Sequence, residues 1–196
     1  IDEIQTVTQD WGLSGNYHEF GFGLPADSVG NLYFSLNVGF WDPHWWHGKS
    51  RAPYRGWVLK VSPEGNVTPI AGGFRSPAGL GLLDDGTLLV TDNQGDWMPV
   101  CPVYAVKENG FYGHPASLRW YEDQPDDEPS DTQPHPEIKR EHPVLWLPYQ
   151  WSRSTGNVIQ DNTGGPFDGQ LLIAELTNGQ ILRAQFEEID GVMQGA

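Results

Sequence analysis

A chain of 196 residues, 38% hydrophobic and 12% aromatic, can bury one sizeable core, and its 24 glycines and 16 prolines favour short strands and turns over long helices. A formal charge of −15 at pH 7 repels a phosphate backbone and excludes nucleic acid as a partner. No run reaches the roughly 18 apolar residues of a membrane span, and the lone Cys101 permits no internal disulfide.

The first predicted element is a β-hairpin in YHEFGFGLPADSVGNLYFSLN, residues 17–37, where alternation in LYFSL follows an SVGN turn. After a long loop at 38–55, GWVLKVSP (56–63) reads as a further strand. FRSPAGLGLLDDGTLLVTDN (74–93) repeats the hairpin around a DDG turn, and PVYAVKEN (102–109) follows it. NGFYGHP (109–115) is a tight Gly-bounded turn that reads as structural, with His114 part of it. The Pro- and acid-rich stretch 119–143 is a second long, irregular loop. SRSTGNVIQDNTGGPFDGQLLIAEL (152–176) is the third hairpin, and GQILRAQFE (179–187) its outer strand.

The three hairpins are one design used again, with turn glycines Gly30, Gly86 and Gly169 spaced 56 and 83 residues apart. A repeated sheet with insertions in its loops predicts an all-β fold, a β-propeller of four-stranded blades. A β-sandwich is the rival, but it does not require equivalent leading segments. Residues 1–196 are read as one partial propeller domain with long loops at 38–55 and 119–143. Material for three blades implies a segment of a larger protein, or a partner that completes the ring.

In a propeller the innermost strand of each blade starts, and its neighbour ends, on one face of the disc. His18, Arg75 and the SRST segment with Arg153 and Ser154 therefore lead into one shared mouth. Asn37 and the stretch Asp92, Asn93, Gln94, Gly95 and Asp96 leave from it. A concave site with converging polar groups is where a small molecule binds. A neutral His18 can take a hydroxyl proton, or satisfy backbone groups at a strand start. Arg75 offers planar donors to a carbonyl, carboxylate or quinone oxygen, or pairs with a loop acid. DNQGDW has the oxygen ligands of a hard-cation loop without the full spacing of a calcium hand, and equally suits a turn held by side-chain amides. His44 and His47 lack a third ligand nearby. Trp41, Trp45, Trp46 and Trp97 are candidates for stacking on a sugar ring. No phosphate-cradling Gly loop, GxSxG elbow or CxxC pair is present.

GGFRSPAGLGLLDDGTLLVTDNQGD…NGFYGHP resembles the glucose/sorbosone dehydrogenase family of six-bladed propellers, with its R-N-P-x-G-L lead, D-G-x-L turn, acidic exit loop and N-Y-G-W-P-like turn. YHEFGFGLPADSVGNLYFSLN is similar to the family's histidine-bearing hairpin, and PVLWLPYQWSRSTGN…FDGQLLIAELTNGQILRAQFE to a later blade. The likeness is greatest to the branch of membrane-bound or haem-associated dehydrogenase domains. It implies a periplasmic or extracellular oxidoreductase that oxidises a sugar or related alcohol with pyrroloquinoline quinone and calcium, with a cytochrome as a possible acceptor. By this resemblance His18 matches the general base and Arg75 the arginine on the quinone carbonyl. Asn37, Ser76, Arg153 and Ser154 are the further candidates for holding the cofactor, and Asp92, Asn93, Gly95 and Asp96 for calcium. The chain has Ser76 and Ala78 where the family has Asn and Gln, WMPVCPVY after the exit loop, and NVGFWDP in place of the glycine-and-glutamine loop. Two alternatives stand beside this reading: a calcium-dependent, lactonase-like hydrolase and a non-catalytic carbohydrate- or protein-binding module.

Overall fold

The computed structural model describes residues 3–39, 52–94, 98–121 and 139–196. Its strands follow the turn chemistry. β1 (Gly21–Ala26) and β2 (Leu32–Leu36) are joined by a turn in which Asp27 Oδ1 accepts the Val29 and Asn31 N–H groups, at 3.1 and 2.9 Å. Gly30 there takes φ +90°, a left-handed conformation that a side chain would strain. β3 (Trp57–Val61) and β4 (Val67–Gly72) complete an antiparallel sheet in the order β1-β2-β3-β4. β5 (Gly79–Leu82), β6 (Leu88–Thr91), β7 (Cys101–Ala105) and β8 (Leu145–Leu147) form a second, ordered the same way. β9 (Thr155–Gln160), β10 (Leu171–Glu175) and β11 (Gln180–Ala184) form the third.

The sheets stack face to face, so their middle strands are apolar on both sides. β6 is buried at every position; Leu88 and Val90 join Val58, Phe74 and Leu80 between the first two sheets. Leu89, between them in sequence, joins Val103, Val158 and Ile173 between the second and third. On the far face of the first sheet, Phe34, Leu36, Trp57 and Leu59 pack under Trp11, Trp120 and Tyr121. Gly79 and Gly81 make the second interface possible: a Cβ on either would run into the backbone carbonyl of Gly156 or Val158 on β9.

The architecture is the all-β propeller that the repeat predicts, with two four-stranded blades. The third sheet departs from the expectation, having three strands. The segment after β11 folds on itself instead, pairing β12 (Phe186–Ile189) with β13 (Val192–Gly195). This hairpin leans on the second blade, where Gly195 N–H donates to the Val144 carbonyl at 2.6 Å and Phe186 packs into the second interface. β4 has no counterpart among the predicted strands, because Pro69 in its middle argues against one; as the outermost strand it tolerates a missing donor. The described end of the loop predicted at 38–55 is turn up to the start of β3 at Trp57, with Ala52 and Arg55 buried in it. A short 3-10 helix, Pro115–Trp120, follows the NGFYGHP turn. No helix among the described residues is long and apolar enough to cross a membrane.

Replacing Gly79 by Ala forces the blades apart and is expected to cost roughly 3 kcal/mol, measured by chemical denaturation. The control Gly86→Ala, at φ +88° with open space around it, is expected to cost only about 1 kcal/mol of backbone strain.

Candidate active site

The inner strands converge. Gly23–Pro25 of β1, Leu80–Leu82 of β5 and Asn157–Gln160 of β9 line one cavity of about 370 Å³, toward the turn ends of these strands; His18, Arg75, Arg153 and Ser154, at the other ends, do not line it. As inner edge strands they leave backbone groups at their starts without partners in their own sheet, and the preceding sheet supplies them. Ser35 Oγ donates to the Pro77 carbonyl at 2.5 Å, and Thr91 Oγ1 to the Gly156 carbonyl at 2.8 Å. Two residues further on, an amide repeats the gesture: Asn37 Nδ2 donates to Ser76 Oγ at 3.0 Å, while Asn93 Oδ1 accepts from Thr155 Oγ1 at 3.1 Å.

This lacing fixes where the predicted site residues stand. Asn37 N–H donates to the Phe20 carbonyl and Val38 N–H to the Arg75 carbonyl, at 3.0 and 3.1 Å. The end of β2 thus ties the segment carrying His18 to the segment carrying Arg75. His18 is half-buried, its ring 3.9 Å from that of Tyr17, and its N–H donates to Asn16 Oδ1. Arg75 Nη1 donates to the Gln94 carbonyl at 2.9 Å. Ser154 meets Asn93 across the second interface, with Nδ2 3.5 Å from its Oγ. Arg153 is exposed, its guanidinium over the Tyr149 ring at 4.7 Å. Asn37 is 2% exposed and, among the described residues, its Oδ1 has no hydrogen-bond partner.

The acids do something the sequence did not suggest. Asp92 Oδ2 and Oδ1 accept the Arg75 and Ser76 N–H groups at 2.9 and 2.7 Å, making it an anchor for the leading segment. Glu175 repeats this one blade later: its Oε1 accepts the Arg153 and Ser154 N–H groups, each at 3.2 Å. The first blade has a variant. Glu19 binds the Ser14 N–H and hydroxyl and lies 3.7 Å from Arg55 Nε, both side chains buried. Arg55 also donates to the carbonyls of Gly12 and Phe20. Burial lowers its pKa, a pull that Glu19 partly opposes.

Among the described residues, no three His, Cys, Asp or Glu side chains gather around a point that could hold a metal. Asp92 is engaged by backbone N–H groups, and the Asn93 amide by Ser154 and Thr155. Gly95, Asp96, His44, His47 and the tryptophans Trp41, Trp45, Trp46 and Trp97 lie outside the described residues. Glu19, Arg55 and Glu175 escaped the sequence reading because single charged residues in or beside short strands carry no spacing signal. An acid at the end of β10, level with Asp92 at the end of β6, was the one available clue.

No family model matches the sequence, and no curated protein matches it. Solved structures do share the fold. A glucose dehydrogenase aligns with a TM-score of 0.60 at 19% identity, over 84% of this chain and 49% of its own. The soluble aldose sugar dehydrogenase of Escherichia coli, in its apo form, aligns at 0.59 and 15% identity, over 93% of this chain and 54% of its own. The PQQ-bound aldose sugar dehydrogenase of Streptomyces coelicolor aligns at 0.53 and 16%, over 85% and 45%. The chain spans about half the length of these proteins, and at such identities the likeness is one of fold.

Glu175 gives a pH test. Burial raises its pKa, but four N–H groups, from Asn178, Arg153, Ser154 and Thr177, hold it below the usual 4.5. A depressed carboxyl contributes stability that is complete above the usual value and lost as pH falls through the folded one. The melting-temperature gap between the unsubstituted protein and Glu175→Gln should therefore be widest near neutral pH and shrink as pH falls below the usual carboxylate value.

Proposed function

We propose that this chain forms the substrate-facing part of a quinone-dependent propeller that oxidises a sugar or related alcohol. The observation that carries the reading is the tie through Asn37 and Val38, which brings the leading segments of His18 and Arg75 to the same end of the inner strands. The sugar-dehydrogenase fold supports it at the level of architecture; fold by itself does not assign chemistry.

The donor set suits pyrroloquinoline quinone. Arg75 and Arg153 are permanent cations for carboxylate and carbonyl oxygens, Ser76 and Ser154 add hydroxyls, and the buried Asn37 Oδ1 is an acceptor with no hydrogen-bond partner among the described residues. When bound, the quinone supplies the two-electron acceptor for hydride from the carbinol carbon. His18 is the group that takes the hydroxyl proton, the part an imidazole general base plays. Arg75, held by Asp92 at its backbone, presents its guanidinium without the freedom of an untethered loop. Calcium is given no step here: Asp92 and Asn93 are hydrogen-bonded within the protein, and Gly95 and Asp96 lie outside the described residues.

The same reading covers the setting. Residues 1–196 are a single partial propeller domain, completed by further blades of a longer chain or by another subunit. Exposed Ile159, Leu176 and Ile181 on the third sheet support this, being 60, 79 and 73% accessible. A periplasmic or extracellular site and a cytochrome acceptor, as in the membrane-bound or haem-associated branch, belong to the proposal.

Titration with pyrroloquinoline quinone, followed by tryptophan fluorescence, and dye-linked oxidation of a sugar and alcohol panel test it. His18→Gln should keep quinone affinity and lose roughly 10²–10⁴ in kcat; Arg75→Ala should weaken quinone binding. A protein that binds quinone yet oxidises nothing on the panel overturns the assignment of activity.

A further inference from the structure

The Asn109–His114 turn has no part in the chemistry above, yet the segment leading to Arg75 is laid against it. Tyr112 N–H donates to the Gly72 carbonyl at 2.9 Å and His114 N–H to the Gly73 carbonyl at 2.7 Å, while Gly72 N–H donates to the Gly110 carbonyl at 3.2 Å. Gly73 takes φ +93°, and a Cβ there would strike the Tyr112 and Gly113 nitrogens. Phe74 stacks on Tyr112 with centroids 4.5 Å apart and 16° between planes. The backbone is thus held from 72 to 74, and the next residue is Arg75.

The turn also delivers an imidazole. His114 is buried, 6% exposed, and its Nδ1 accepts the Ala116 N–H at 3.2 Å, which leaves Nε2 to carry the proton of the neutral ring. Its side chain, with those of Arg75, Asp92, Asn93, Met98 and Tyr112, lines one small cavity beside the mouth. Asp92, whose carboxylate binds the Arg75 and Ser76 N–H groups, lines the same cavity. Packing alone would ask for an apolar side chain of similar volume here. A polar ring that shares a cavity with a buried carboxylate bears on where that carboxylate can rest.

We propose that His114 is a positioning residue for Arg75, acting through Asp92 to fix where the guanidinium meets an oxygen of the bound ligand. This rests on the quinone reading of the same site.

A double-mutant cycle in the full chain tests it, with pyrroloquinoline quinone as the probe and equilibrium affinity and melting temperature as readouts. His114→Leu should weaken quinone binding about tenfold, and His114→Gln, which keeps an acceptor for Ala116, should restore most of it. In the Arg75→Ala background the same leucine substitution should change affinity less than about twofold. Should His114→Leu fail to fold, His114→Asn takes its place in the cycle, with the same expectation. Quinone binding that the substitution leaves unchanged, or lowers by the same factor in both backgrounds, overturns the positioning role alone. No quinone binding by the unsubstituted protein overturns the functional reading, and this inference with it.

Discussion

The first and second sheets each hand a hydroxyl and an amide to the sheet after them, and the rest of the structure depends on that exchange. The start of an inner strand is a sheet edge, where carbonyls would be buried without partners; leaving such a group unsatisfied costs about 1–3 kcal/mol. Ser35 and Thr91 meet Pro77 and Gly156, and Asn37 and Asn93 meet Ser76 and Ser154–Thr155. Glycines at 79 and 81 let the second interface close. Equivalent positions serve at both junctions, and the three inner strands line one cavity.

Convergence alone would leave the leading segments loose. Carboxylates prevent this, at some electrostatic cost. Asp92 and Glu175 each bind two successive N–H groups of an Arg–Ser pair, so the backbone beneath each arginine is held on the side facing the exit strand. Their environments push them in opposite directions. Burial dominates at Asp92 and raises its pKa against two N–H groups, whereas at Glu175 the N–H groups outweigh burial and lower it. One geometric role thus carries two different dependences on pH. At the first blade the acid pairs with buried Arg55, whose remaining donors hold the carbonyls of Gly12 and Phe20.

Backbone ties, side-chain amides and cations meet where the leading segments and the exits of the inner blades are joined. Asn37 illustrates the economy of the arrangement: its N–H joins the first leading segment, its Nδ2 the second, and its Oδ1 faces neither. The NGFYGHP turn, which the sequence marks only as a turn, holds Gly72 and Gly73 in the segment that leads to Arg75. Support of this kind is invisible in a motif, since it is made of backbone contacts between segments about 40 residues apart in the chain.

The sequence by itself determined the repeated hairpins, their turns and the end of each hairpin at which polar residues collect. These are local matters: alternation fixes which face a strand residue takes, and Gly30, Gly86 and Gly169 occupy left-handed turns that favour glycine. It did not determine β4, hidden by Pro69, nor the withdrawal of the β12–β13 hairpin from the third sheet. It also could not separate an acid that binds metal from one that binds backbone; Asp92 has the chemistry for either. Only tertiary structure shows Asp92 on the Arg75 and Ser76 N–H groups, because the partners of a carboxylate are chosen by which N–H groups the neighbouring segments leave unpaired, and that depends on contacts no local pattern encodes.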